Sequence, residues 1–233
     1  MNEARIIVTG GFGVLGRAVG KALLASGAQV ALIDQAPTAT GLPEAALACG
    51  GVDLGEEPAA RRCIDTVADR FGGLDGIVNV AGGFAWQSVE HGDIATWDRM
   101  YAMNVRTALL ASQAALPHLL RQGRGRIVNV GALAAGRAQT GMGAYAAAKS
   151  GVARLTEAMA EEFLERGINV NAVLPSVIDT PANRSSMPDA DATRWVDPAA
   201  LAQVVMFLLS DASAAVTGAL LPVAACAAKG RKS

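Results

Sequence analysis

Short, nearly continuous apolar runs recur along this chain, at Arg5–Thr9, Gln29–Asp34, Gly76–Ala81, Arg126–Val130 and Asn169–Leu174. They are rich in Ile and Val, as in Ile6-Ile7-Val8 and Val170-Asn171-Ala172-Val173-Leu174. Such runs predict strands buried on both faces, because a half-exposed strand would alternate apolar with polar residues. Between them, apolar positions return every three or four residues, the period of a helix with one buried face. This spacing predicts helices over Val14–Ser26, Glu57–Phe71, Thr96–Leu120, Ala144–Arg166 and Pro198–Leu209, with Gly27, Gly72 and Gly167 placed to stop three of them. Strand and helix alternate along the whole of residues 1–233, so one α/β domain is expected, a doubly wound parallel sheet with helices on both faces.

Two stretches break the rhythm. Residues 180–197, rich in Pro, Ser, Asp and Asn, stand just before the last helix and read as a substrate loop over a cleft. Ala212 to Ala228 is strongly apolar, but Ser213, Thr217, Gly218 and Pro222 interrupt it, and it falls short of the roughly 20 residues a membrane span needs. It is expected to be a buried strand with small-residue flanks.

Composition adds mainly exclusions. With 52% hydrophobic and 18% charged residues the chain can bury a full core, and a net charge of −1 provides no field for nucleic acid or an anionic membrane. The basic tail Lys229-Gly230-Arg231-Lys232 reads as a solvated terminus. The chain does not open with the pattern of a secretory signal, so a cytoplasmic location is expected. Cys49, Cys63 and Cys226 fit neither a disulfide framework nor a metal spacing, and with His91 and His118 far apart no metal is expected. The thiols are expected to be buried and reduced, and the histidines structural, with His118 ending a helix after Pro117.

The candidate chemistry begins at Gly10, where Gly11-Phe12-Gly13-Val14-Leu15-Gly16 fits GxGxxG directly after the first strand and opens the first helix. Glycines let the backbone approach a pyrophosphate, whose charge the helix N-terminus favours, so a Rossmann-type dinucleotide site is expected. Asp34 ends the second strand about 20 residues later, where its carboxylate can accept hydrogen bonds from an adenosine ribose. A 2′-phosphate there would meet that carboxylate, and neither Phe12 nor Gln35 offers a compensating cation; Arg17 is the one nearby basic group. NAD(H) is therefore favoured over NADP(H).

Further along, Tyr145 and Lys149 in Tyr145-Ala146-Ala147-Ala148-Lys149 are four apart, which puts both on one face of a helix. The ammonium is expected to stabilise phenolate and lower the Tyr145 pKa, making a proton donor suited to hydride chemistry on C=O or C=N.

Taken together, these residues resemble the short-chain dehydrogenase/reductase superfamily from Arg5 to about Val223. Asp53-Leu54 is similar to that family's adenine contact, and Asn79-Val80-Ala81-Gly82 to its Asn-Asn-Ala-Gly strand end. Asn104 stands where the family keeps a helix-kinking asparagine, and Pro175 to Thr180, including Val177, resembles the loop that meets nicotinamide, with Ser176 in place of Gly. The resemblance implies that Tyr145 gives the proton, that Lys149 also holds the nicotinamide ribose, and that Asn104 orders a relay water. It also implies a homodimer or homotetramer, for which Ala146, Ala147 and Ala148 offer a small-residue surface.

One position departs from the family. The serine expected thirteen residues before the tyrosine is Ala132, and Gly131-Ala132-Leu133 has no hydroxyl. Oxyanion stabilisation must then come from Tyr145 alone, from Thr140 or from a water. The quinonoid dihydropteridine reductase branch lacks this serine, and Val80-Ala81-Gly82-Gly83-Phe84, Gly141-Met142-Gly143-Ala144-Tyr145 and above all Val173 to Asp191, with Trp195, resemble it. Asn79, Asn104 and Trp97-Asp98-Arg99-Met100 instead resemble the alcohol-oxidising pattern.

Phe84 and Trp86, following the fourth strand, are placed either to sandwich a flat substrate or simply to pack under the loop, and Asn183 and Arg184 either to hold a polar group or to face solvent. Trp195 is expected to anchor the loop. An NADH-dependent reductase of a C=N or C=O acceptor, dihydropteridine reductase-like, is the leading expectation for this small-molecule enzyme. An alcohol dehydrogenase or ketoreductase on a small or aromatic carbonyl is the alternative, and a non-catalytic NAD(H)-binding sensor or scaffold a third.

Overall fold

The computed structural model describes residues 3–225. Its strands are β1 (Arg5–Thr9), β2 (Gln29–Ile33), β3 (Leu47–Cys49), β4 (Gly76–Asn79), β5 (Gly125–Val130), β6 (Ile168–Pro175) and β7 (Leu220–Val223), in one sheet ordered 3-2-1-4-5-6-7 with every neighbouring pair parallel. The helices are α1 (Val14–Ala25), α2 (Glu57–Phe71), α3 (Ile94–Tyr101), α4 (Thr107–Arg121), α5 (Gly143–Phe163), α6 (Pro181–Ser186) and α7 (Pro198–Leu209).

The apolar strands explain the layering. Successive residues point to opposite faces, so Val8, Val78 and Val128 pack with Val19, Leu23, Leu201 and Val205 of α1 and α7. Ile7, Ile77 and Ile127 pack on the other side with Ile64, Leu119 and Met159 of α2, α4 and α5. Each such side chain contributes roughly 1.5–3 kcal/mol through burial. The sheet winds outward in both directions from β1 and β4, which leaves a crevice beyond their carboxyl ends. Gly10 and Ala81 meet there, Ala81 N donating to Thr9 Oγ1 at 3.1 Å.

Gly27, Gly72 and Gly167 all take positive φ, at 84°, 71° and 75°, and end their helices as expected. The long helix expected over Thr96–Leu120 starts earlier, because Asp93 caps α3 by accepting from Thr96 N at 2.7 Å. It is also divided: a wider π-type turn at Ala102–Arg106 joins α3 to α4. β3 and α6 are too short to leave a periodic signal. β7 is a partly exposed strand at the sheet edge rather than a buried one, and residues 226–228 of the apolar stretch lie outside the described residues.

Other expectations are corrected as well. Cys49 and Cys63 are partly exposed, and Cys226 is outside the described residues. His118 does not end a helix, since α4 continues through Pro117 to Arg121; its buried ring meets Asp65 at 2.6 Å and Arg121 at 2.7 Å. Ala146 and Ala148 are buried inside the subunit, leaving only Ala147 of that trio on the surface. Among the described residues no helix is long and apolar enough to cross a membrane.

Candidate active site

The glycine turn is shaped by two different demands. Gly10 takes φ +61°, and a Cβ there would fall 2.8 Å from Ala81 N, while a Cβ on Gly11 would fall 2.6 Å from that of Leu32. A Cβ on Gly16 would collide with Gly10 O, so these three glycines let the turn, the sheet and α1 close upon one another. Gly13 is different: it is exposed, and the only atom near an added Cβ is Gly10 O at 3.3 Å. It caps α1 without a side chain, and the first turn holds no acidic residue. The N–H groups of Val14, Leu15 and Gly16 precede the first α1 hydrogen bond, from Arg17 N to Gly13 O at 3.0 Å. Such a turn fits the pyrophosphate of a dinucleotide. Phe12 does not face this cradle, because its ring is buried with Leu15 and Val19.

Asp34 immediately follows β2 and is engaged by the backbone at both oxygens. Oδ2 accepts from Phe12 N and Oδ1 from Ala36 N, each at 3.0 Å. The carboxylate thus holds the glycine turn in register while retaining lone pairs for further donors. Arg17 is committed elsewhere, Nε donating to Phe12 O at 2.7 Å and an Nη to Thr40 O at 2.8 Å. Beyond β3, Asp53 accepts from Gly55 N at 2.8 Å and Gln35 Nε2 at 3.3 Å, and Leu54 is buried.

Across the crevice, Asn104 and Lys149 converge on Gly82. A Cβ there would stand 2.5 Å from Asn104 Oδ1 and 3.4 Å from Lys149 Nζ, so glycine is what lets the two groups reach this point. Asn104 accepts from Gly83 N at 3.2 Å and donates to Gly83 O at 3.1 Å and Met100 O at 2.9 Å. It thereby ties the π-type turn to the chain after β4. Lys149 Nζ donates to Val130 O at 2.7 Å.

The expected acidification of Tyr145 by Lys149 is reversed here. Burial pushes the Tyr145 phenol up to about 12 and the Lys149 ammonium down to about 8, because loss of water disfavours the charged form of each. Tyr145 keeps its proton at neutral pH, while Lys149 remains mostly charged. The Phe84 ring meets the Tyr145 ring edge to face, with centroids 5.0 Å apart.

The Asn79 side chain, at the end of β4, turns into the core. Its buried amide donates to Ser112 Oγ at 2.9 Å and Asn129 Oδ1 at 2.8 Å, and Asn129 Nδ2 donates in turn to Thr156 Oγ1 at 2.9 Å. This chain joins β4, β5, α4 and α5 behind the site. Ala81 and Gly82 do line the crevice, beside Gly10 and Lys149 respectively. Trp86 covers Gly141, whose φ of +76° and missing Cβ give the indole room. Ala132 is buried just after β5, and Thr140 is exposed.

Pro175 ends β6, and the loop after it is closed by a parallel bridge between Ile178 and Val196, with Val196 N donating to Val177 O at 2.8 Å. Ser176, Val177, Asp191, Arg194 and the buried Trp195 line a depression of about 330 Å³. Thr180 caps α6 by accepting from Asn183 N at 3.1 Å, and Asn183 spends its amide on Ile178 O at 2.8 Å. Arg184 pairs with Asp179 at 2.6 Å, so both side chains already hold partners within the loop, while Asn183 Oδ1 stays unengaged among the described residues. A larger depression, about 680 Å³, lies at the opposite end of the sheet around Arg5, Asp75 and Arg126, away from the glycine turn.

The family model described as short chain dehydrogenase matches residues 4–191. 2-(S)-Hydroxypropyl-CoM dehydrogenase 3 of Xanthobacter autotrophicus is 35% identical, over 94% of each chain. Cis-4-hydroxycyclohexanecarboxylate dehydrogenase of Sinomonas cyclohexanicum is 33% identical, over 95% of each. The structure of NAD+-bound xylitol dehydrogenase superposes with a TM-score of 0.86 at 26% identity, covering 96% of this chain and 98% of that one.

Proposed function

The chain belongs to the short-chain dehydrogenase family and is an oxidoreductase, and from that premise we propose that it interconverts an alcohol and a ketone on a small molecule with NAD(H). The observation that carries this reading is the convergence of Lys149 and Asn104 beside Gly82, on the same crevice as the uncapped glycine turn. The named activities of the two relatives, on a hydroxypropyl and a hydroxycyclohexane substrate, favour a carbonyl over a C=N acceptor.

In this reading the N–H groups of Val14, Leu15 and Gly16 hold the pyrophosphate and Asp34 the adenosine ribose. Asp53 and Leu54 flank the adenine, and Ala81, Pro175, Val177 and Thr180 border the nicotinamide end. Bound there, the dinucleotide supplies or accepts hydride. Tyr145, protonated at neutral pH, gives its proton to the developing alkoxide. Lys149 holds the nicotinamide ribose and, with Asn104, the water through which Tyr145 recovers a proton. Phe84 fixes the phenol and presents an apolar wall to the substrate. NAD(H) is preferred because Asp34 would repel a 2′-phosphate and Arg17 is held by two of its donors on Phe12 and Thr40.

A pterin-like C=N acceptor is the second reading, favoured by Ala132, since an already polarised ring needs no serine hydroxyl. Stopped-flow measurement of NADH oxidation with cyclic ketones and diones beside quinonoid dihydropterin separates the two. Turnover with the ketones is expected; turnover with the pterin alone would replace the first reading by the second. NADH binding without turnover of any acceptor would leave a non-catalytic sensor. The assembly we propose is a homodimer or homotetramer, because Ile94, Trp97, Tyr101 and Met103 leave apolar surface exposed on and just after α3; sedimentation at a monomer mass would exclude it.

A further inference from the structure

The amino ends of β1, β4 and β5 frame the depression of about 680 Å³ at the far end of the sheet from the glycine turn. Arg126 is the second residue of β5, two before Val128, and so lies on the face that carries α1 and α7. Its side chain is only 15% exposed. Among the described residues this side chain makes one hydrogen bond, from Nη1 to Gly125 O at 3.2 Å. Nε is buried with no acceptor, and Nη2 stands 3.8 Å from Asp211 Oδ1, beyond hydrogen-bonding distance. We propose that Arg126 and Arg124 form an anion site in this depression, which takes the phosphate group of a small phosphate monoester.

The charges around the depression do not cancel at Arg126. The Arg5 guanidinium holds Asp75 at both oxygens, Nε donating to Oδ2 at 2.7 Å and Nη2 to Oδ1 at 2.9 Å, so that pair is neutral. The other acids on the rim, Glu3 and Asp211, are exposed and keep their own water. Arg124 is 74% exposed and comes only within 3.8 Å of Asp75, whose oxygens Arg5 already occupies, so its guanidinium can turn into the depression. A buried guanidinium loses hydration that one hydrogen bond to a neutral carbonyl does not return, and a loose pair with a solvated carboxylate adds little. A ligand that carries its own anion to the wall supplies the missing acceptors.

The chemistry of the wall selects the class of anion. Two guanidiniums match a compact dianion better than a single carboxylate, and their N–H groups meet phosphate oxygens in parallel pairs. A phosphate monoester carries close to two negative charges at neutral pH. The depression has the size of a site for a small organic molecule, roughly 300–1,000 Å³, so the phosphate is one end of the ligand. Gln29 offers its amide to the remainder, and Phe71 and Leu209 offer apolar surface. The glycine turn lies past the carboxyl ends of the same strands, so this site does not rest on the proposed reaction.

Isothermal titration calorimetry on the full-length protein with saturating NADH, at fixed ionic strength, uses glycerol 3-phosphate as the probe and succinate beside it. The phosphate is expected to bind, and succinate to bind about 10-fold more weakly or worse. Arg126→Met is expected to weaken the phosphate about 10-fold or more. Its NADH affinity is expected to match wild type and its melting temperature without phosphate to be no lower, since an ill-paired buried cation gives way to an apolar chain. Should that variant fail to fold, Arg124→Ala, on an exposed side chain, is expected to weaken the phosphate about 3-fold with folding unchanged. No heat of binding at millimolar phosphate overturns the proposal. So does phosphate binding that neither variant diminishes, including the case in which a protein that binds no NADH takes phosphate at the glycine turn. Succinate bound as tightly as the phosphate overturns the choice of phosphate.

Discussion

Lys149 Nζ donates to Val130 O at 2.7 Å, tying the second turn of α5 to the last residue of β5. A buried ammonium on a neutral carbonyl is a poor exchange for hydration, and burial accordingly holds Lys149 at about 8 rather than 10.5. The site thus keeps a cation that the fold would be more stable without.

That cost is measurable. A lowered lysine pKa means that the unfolded chain binds the extra proton more readily, so the penalty is fully present below about pH 8 and fades as pH rises toward 10.5. The shift corresponds to about 3 kcal/mol, less about 1 for the lost Val130 hydrogen bond. Lys149→Met is therefore expected to be about 2 kcal/mol more stable than wild type near neutral pH, the gap narrowing above about pH 8 and largely gone by about pH 10. Urea titrations at both pH values check this; equal stability at each would contradict it.

Ala132 offers a direct test of the acceptor. Ala132→Ser adds one oxygen to an extended residue just after β5, with φ −159°. With a ketone substrate kcat/KM is expected to rise about 10-fold or more while NADH affinity stays constant. With a C=N acceptor no more than a small change is expected, so steady-state kinetics on both substrate classes separate the readings.

The chain from Asn79 through Asn129 to Thr156 fixes α5, and hence Tyr145 and Lys149, against β4 and β5. Thr156→Val leaves Asn129 Nδ2 unpaired in the core, a loss of about 1–3 kcal/mol. Turnover is expected to fall several-fold at temperatures where the variant is fully folded, with Thr156→Ser restoring it. Reduced stability with unaltered turnover would show that the network serves folding alone.

Much of this was legible in the sequence because the fold uses strong, local signals. The buried strands appear as continuous Ile and Val runs, and Gly27, Gly72 and Gly167 stop their helices through positive φ, a property glycine alone adopts without strain. The four-residue spacing put Tyr145 and Lys149 on one helix, as in α5, but did not give their titration, which depends on burial by elements distant in sequence. Val130 contributes only its carbonyl, so its side chain carries no sign of that role. Gly83 was visible beside Gly82, yet its pairing with Asn104 depends on the wider turn between α3 and α4. Asn79 misled because its place in the strand-end pattern says nothing of which sheet face it occupies; the pleat turns it toward Ser112 and Asn129. Nor does sequence show that the Asn183 amide reaches back to Ile178 O in the loop before α6.

The central claim is that Tyr145 delivers the proton within a pocket that binds the dinucleotide independently of it. Single-turnover NADH oxidation by Tyr145→Phe, with NADH affinity measured on the same sample, tests this most directly. The rate is expected to fall about 100-fold or more, with affinity little changed. A phenylalanine variant that turns over at the wild-type rate would contradict the account.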